Sequence, residues 1–223
     1  MYKEAKTKMD SLISSIKTIH SKYITNPNYV YKSCQKKWII IMKKLPHTLT
    51  NENRIQIYNR KFALYRGDSF IIELIFDKFN PTKTCDFLSE QIKRDYYVDF
   101  VPKEVVQVFG FDTNIDIIYA KGIHYYKSIE PAFYQGLEQC KIILNGIYMS
   151  WYNNGTKDSE YNYKDGKIDG LYTEWNAFGF KIKECTFKEG KIVGNYTKWN
   201  EKGEKIKSIE ITDASSCLKL DIS

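Results

Sequence analysis

Between Gly146 and Ile211 the chain repeats itself every 24 residues, and this period constrains the fold more than any other feature. Trp151, Trp175 and Trp199 share one phase, as do Gly146, Gly170 and Gly194, Tyr148, Tyr172 and Tyr196, and Gly155, Gly179 and Gly203. The second half of the unit recurs in Lys157, Lys181 and Lys205, in Glu160 and Glu184, in Tyr163, Phe187 and Ile211, and in Gly166 and Gly190. The resulting unit, G-x-Y-x-x-W-x-x-x-G-x-K-x-x-E-x-x-[YF]-K-x-G-K, alternates two strand-like runs with two turns. Asn153-Asn154-Gly155 and Asp165-Gly166-Lys167 supply residues that accept the positive φ of tight hairpins. Copies over 146–169, 170–193 and 194–211 therefore predict an antiparallel meander of about six strands, each roughly 20 Å long and about 4.8 Å from its neighbour. A lone hairpin is marginal in water, so the copies must stack. The Trp and Tyr columns, with Tyr163 beside Phe187, are expected to form the ladder that joins them, while Glu160, Glu184 and the nearby lysines line the solvated side. If Trp175 is part of that packing, Trp175→Ala costs about 3–5 kcal/mol.

The Trp, Gly-Lys and Glu positions of residues 146–211 resemble the MORN-repeat superfamily, in the 24-residue variant of YwqK-type antitoxin-like proteins and of long arrays in giant DNA viruses. The resemblance implies a repeat-built scaffold that binds proteins, with membrane tethering in some members and no catalytic residues of its own. The third copy departs from the pattern, with Ser208 at the Glu position and Ile211 at the aromatic one, as a capping copy does. Over residues 60–138, Gly122-Ile123-His124-Tyr125-Tyr126, Ala132-Phe133-Tyr134, and Arg66-Gly67 with Ile72-Glu73-Leu74 resemble a small domain that precedes such arrays in giant-virus proteins. That family also carries a Lys-Cys-Arg cluster, which Lys83-Thr84-Cys85-Asp86 matches only in part. This resemblance implies architecture and viral origin, and no activity.

The fold class predicted is α+β: a head over 1–140, the repeats within 141–213, and a tail over 214–223. Ala5, Met9, Leu12, Ile13, Ile16, Ile19 and Tyr23 recur at helical spacing, predicting a helix over 3–23. Cys34, Trp38, Ile41, Met42 and Leu45, ended by Pro46, suggest a second over 30–45. From residue 61 strand vocabulary takes over. Phe62–Tyr65 and Phe70–Phe76 read as a hairpin closed by Arg66-Gly67-Asp68, a triplet read as a turn and not as an adhesion signal. Further strands are expected at 96–101 and 105–109, and a helix at 130–137.

Charge narrows the partners. Residues 1–60 hold 12 Lys+Arg against 3 Asp+Glu, a net +9; residues 61–140 hold 9 against 12, and residues 141–211 hold 12 against 10. Membrane-surface or nucleic-acid binding must therefore use the basic N-terminal segment. Arginine supplies only 4 of the 34 basic residues, whereas phosphate and base readers favour its planar fork. No run approaches the roughly 20 apolar residues of a spanning helix, and the N-terminus lacks the pattern of a secretory leader. The setting expected is intracellular: host cytoplasm, or virion for a viral chain. The five cysteines (Cys34, Cys85, Cys140, Cys185, Cys217) are scattered, fit no zinc spacing and are expected to be reduced. His20, His47 and His124 stand apart from one another, and no nucleophile elbow, phosphate loop or dinucleotide fingerprint occurs. Asp112–Asp116 lacks the glycine and bidentate glutamate of a calcium loop. No catalytic, cofactor or metal residue is assigned; an enzyme centred on His124 is the least favoured reading, behind a protein-binding scaffold and a membrane- or nucleic-acid-associated protein.

Overall fold

Three consecutive β-branched residues, Ile39-Ile40-Ile41, are crowded in a helix and fit the pleat of a strand. In the computed structural model, which describes residues 7–93, 96–139 and 145–212, they lie in β2 (Trp38–Lys44), paired antiparallel with β1 (Tyr29–Cys34). A hairpin thus replaces the helix expected over 30–45. Residues 39 to 42 are all fully buried, so the strand is covered on both faces, and a continuous apolar run can mimic one side of a helix. The turn carries no glycine or asparagine: Gln35 and Lys36 themselves hold φ of +49° and +63°.

The described residues form two compact units. One, the head, takes 12–139 together with 152–155; the other takes 7–11, 145–151 and 156–212. Among the described residues strand outweighs helix, 48% against 12%, and the strand pairs are antiparallel. The helical part is small: α1 (Thr7–Ile19), α2 (Ser21–Ile24) and α3 (Ile129–Tyr134). Residues 3–6 of the expected first helix and the tail over 214–223 lie outside the described residues. In α1, Met9, Ile13 and Ile16 are buried as the spacing requires, whereas Ile19 is exposed.

The head sheet runs β3 (Leu64–Gly67), β9 (Ile123–Tyr126), β1, β2, β4 (Ser69–Asp77), β5 (Asn80–Thr84), with β8 (Val105–Gln107) also on β4. The hairpin expected from 62 to 76 does not form. β3 pairs with β9, β4 pairs with β2, and only Asp68 separates the two strands. A separate two-stranded sheet, β6 (Leu88–Lys93) with β7 (Tyr96–Phe100), adds Leu88, Val98 and Phe100 to a core with Ile40, Met42, Phe70, Ile75 and Tyr125.

Much of the basic charge of the first 60 residues is engaged inside the head. Lys17 pairs with Glu130 (2.7 Å), Lys32 with Glu90 (2.8 Å), Lys37 with Asp77 (3.4 Å) and Lys44 with Glu52 (2.9 Å). Arg54 donates to the carbonyls of Leu64 (2.7 Å) and Asn153 (2.6 Å). Glu52 is a hub, accepting from Tyr125 Oη (2.6 Å) and Lys127 as well. Burial alone would raise its carboxyl, but hydrogen bonds from Lys127, Tyr125 and Lys44 outweigh burial and hold it below the ordinary 4.5. A depressed carboxylate stabilises the fold above its unfolded value, and that contribution is lost as pH falls through the folded one. Urea stability is therefore expected to drop from about pH 5 downward, and Glu52→Gln to flatten that limb while lowering stability at about pH 7. Parallel curves for the two proteins would show that these bonds contribute no linkage.

Candidate functional site

The meander is built in sequence order from β10 (Gly146–Trp151), β11 (Lys157–Lys164), β12 (Lys167–Trp175), β13 (Lys181–Lys188), β14 (Lys191–Trp199) and β15 (Lys205–Ile211). Its turns are of two kinds. Asp165-Gly166 (φ +51°, +77°) and Glu189-Gly190 (φ +51°, +82°) close two-residue hairpins with both φ positive, the geometry that matches strand twist. The other turns place Gly155, Gly179 and Gly203 at positive φ, each donating to the carbonyl three residues back (2.8–3.0 Å). In copies two and three an asparagine side chain completes them. Asn176 Oδ1 accepts from Phe178 N and Phe180 N (3.1 and 3.0 Å), and Asn200 Oδ1 from Lys202 N and Glu204 N (3.0 and 2.9 Å). Tyr152 holds that place in copy one. These asparagines are a repeated signal that the sequence reading missed.

Register assigns the repeated side chains to faces. Tyr148, Tyr161, Tyr172, Cys185, Tyr196 and Ile209 lie opposite one another in a row across all six strands. Along this row Tyr148 and Tyr161 are 5.0 Å apart, and Tyr161 and Tyr172 5.3 Å apart and nearly parallel. Tyr163 packs edge-on against Tyr161, Phe187 lies 5.7 Å from Tyr172, and buried Cys185, Tyr196 and Ile211 form a cluster with Phe187. Gly146, Gly170 and Gly194 stand beside it, opposite Tyr163, Phe187 and Ile211.

The tryptophans are not in that ladder. Strand alternation puts Trp151, Trp175 and Trp199 on the opposite face, with Met149, Glu160, Thr173, Glu184 and Thr197. Each ends its strand at a bulge, where one extra residue brings a lysine opposite it: Trp151 with Lys157, Trp175 with Lys181, Trp199 with Lys205. Lys157 reaches Glu160 (2.6 Å) and lies over the Trp175 ring (5.3 Å); Lys181 reaches Glu184 (2.5 Å) and lies over Trp199 (5.4 Å). The clamp therefore recurs between neighbouring copies, about 10 Å apart by strand spacing, and Ser208 in copy three ends it. The three tryptophans are half-buried. Trp175→Ala is accordingly expected to cost about 1.5–3 kcal/mol, combining part of an aromatic core truncation with loss of one cation–π contact. A thermal melt of the full chain checks this; a loss of the fully buried size would put Trp175 back among the core residues. Beside these clamps a shallow concavity of about 230 Å³ is lined by Ile147, Glu160, Asn162, Leu171 and Thr173, with Leu171 57% exposed.

The other ionisable candidates serve the fold. His124 Nε2 donates to the Ile118 carbonyl (2.9 Å), and burial, the leading influence, lowers its pKa. Arg66 and Asp68 of the Arg-Gly-Asp triplet are buried. Arg66 ends in the 111–121 loop, and Asp68 accepts from Leu49 N (2.8 Å). The carbonyls of Asp112, Asn114 and Ile117 accept from the Arg66 guanidinium. Among the described residues no group of three or more His, Cys, Asp or Glu could hold a metal. Cys34 and Cys185 are buried free thiols, burial pushing them up to about 12 and about 11, and Cys85 is half-buried. Cys140 and Cys217 lie outside the described residues. No described helix is long and apolar enough to cross a membrane.

Comparison with family models, with curated proteins and with solved structures finds no match to this chain, and so no likeness to an enzyme family.

Proposed function

We propose that this chain is a non-catalytic scaffold of the MORN-like repeat kind, in which the tryptophan-bearing face of the meander engages a protein partner. The observation that carries the reading is the repetition on that face of one Trp–Lys–Glu clamp in successive copies, beside exposed Leu171. Half-buried aromatics held in place by charged neighbours offer rigid contact area, the kind enriched at interface centres. The resemblance to viral repeat proteins supports host cytoplasm or virion as the setting. The membrane or nucleic-acid alternative draws less support, because Lys17, Lys32, Lys37, Lys44 and Arg54 are already engaged within the head.

The test is capture of partners from source cells by full-length tagged protein, compared with Leu171→Glu on the tryptophan face and Lys198→Glu on the tyrosine face. A discrete protein retained in high salt, nuclease and detergent, lost with Leu171→Glu and kept with Lys198→Glu at unchanged Tm, is the expected result. Capture indifferent to Leu171→Glu, or abolished by salt or nuclease, would reject it.

A further inference from the structure

Beyond the meander, the head carries a slot between β7 and β8. Its volume is about 330 Å³, and its walls are Tyr97, Val98 and Asp99 on one side and Glu104, Val105 and Gln107 on the other. Neither strand has a second strand partner among the described residues: β7 pairs only with β6, and β8 only with β4. The β8 ladder fixes which backbone groups are used. Ile72 N donates to Glu104 O (2.9 Å), Val108 N donates to Asp68 O (2.7 Å), and Val106 lies opposite Phe70. Alternation therefore turns the N–H and C=O of Val105 and Gln107 away from β4, toward the outer edge. The Val105 side chain is 58% exposed, and Tyr97 and Phe87, which also line the slot, are 60% and 53% exposed.

Unpaired strand edges are templates for another strand unless blocked by lysine, proline or a cover. Pro102 lies in the turn before β8, outside the strand, and Lys103 beside it is held by Glu73 (2.9 Å). Asp99 and Glu104 are exposed and have no ion-pair partner among the described residues. An edge with outward backbone groups, apolar side chains at its rim and two carboxylates without an ion-pair partner among the described residues matches one kind of occupant. We propose that this slot takes an extended, lysine-rich peptide segment of a partner, which adds to β8 as a strand. Backbone bonds to Val105 and Gln107 give the affinity; Asp99 and Glu104 select basic side chains, and Tyr97 and Phe87 cover the apolar ones.

The probe is a labelled capped hexapeptide of alternating lysine and valine, titrated into the full-length chain by fluorescence anisotropy. N-methylation of the amides along one edge of the peptide is expected to weaken binding about tenfold or more, since it removes ladder donors and leaves charge intact. Asp99→Asn with Glu104→Gln is expected to weaken it about fivefold and to flatten its salt dependence. Val105→Pro deletes an N–H that β4 does not use, so it is expected to abolish binding at nearly unchanged Tm, with Val105→Thr binding as the parent. Should Val105→Pro fail to fold, the N-methylated peptides decide alone. Equal binding of the methylated or of a glutamate–valine peptide overturns the proposal. So does self-association of the chain that Val105→Pro removes, because a second copy would then be the occupant.

Discussion

Replacing Arg66 by methionine is expected to cost about 3–5 kcal/mol, a large share of the roughly 5–15 kcal/mol that holds an ordinary domain together. Arg66 is fully buried at β3, directly opposite His124 of β9. Its Nε donates to the Ile117 carbonyl (2.8 Å), its Nη1 to that of Asp112 (2.6 Å) and weakly to that of Lys121 (3.4 Å), and its Nη2 to that of Asn114. The guanidinium also lies over the Phe111 ring (4.5 Å). A planar fork with five fixed donors can serve carbonyls arranged around it, and these carbonyls belong to a loop with no strand ladder of its own. Methionine fills a similar length but donates nothing, so the carbonyls it leaves must find water or stay unpaired. Lysine, a point charge on a flexible stem, is expected to recover less than half of the loss. Urea denaturation of the full chain gives the total, and hydrogen exchange across residues 111–121 shows where it arises. Arg66→Met within about 1 kcal/mol of the parent, with exchange unchanged in that loop, would mean that the loop holds itself.

The same arginine shows where sequence reading stops. Arg66-Gly67-Asp68 looked like a turn because Gly and Asp punctuate hairpins, and the two apolar runs beside it looked like partners because they are adjacent. Pairing of β3 with β9 joins residues nearly sixty positions apart, and no local pattern encodes it. The helix expected over 30–45 gives way to the β1–β2 hairpin for a different reason: a strand buried on both faces has no alternation, and its turn uses Gln35 and Lys36 where glycine or asparagine is the usual marker. The repeats were legible because each turn carries its glycine and each copy reports the others' phase. Even there one ladder of Trp with Tyr is the wrong expectation, because the two are three residues apart in every copy and strand alternation sets them on opposite faces. What composition does not show is the bulge at each tryptophan, where one extra residue on the next strand brings the lysine opposite it.

Equivalence in sequence also conceals unequal surroundings, and the turn glycines make this measurable. Gly155, Gly179 and Gly203 occupy one phase of the repeat and hold nearly the same φ, +87°, +90° and +82°. A Cβ at Gly179 would meet only Thr156 Cγ2 at 3.5 Å, and one at Gly203 the Phe180 ring at 3.1 Å, a side chain able to turn aside. At Gly155 it would fall 2.0 Å from the Asn59 carbonyl oxygen and 2.8 Å from Ala63 N. Those are backbone atoms, and they cannot turn aside cheaply. The turn at 152–155 belongs to the head, where Tyr58 N and Asn59 N donate to Asn154 O (3.0 Å each), and Leu64 N and Arg54 to Asn153 O (3.1 and 2.6 Å). Gly179→Ala is thus expected to cost only the left-handed backbone strain, about 1–2 kcal/mol, and Gly203→Ala little more. Gly155→Ala adds a backbone clash to the same strain and is expected to cost about 3–5 kcal/mol. The three variants, melted side by side, separate the two effects, because the conformational part is common to all and only the clash differs. Equal losses at the three glycines would mean that the chain around Asn59 yields, and that the hydrogen bonds to Asn153 and Asn154 do not hold this turn rigidly in the head.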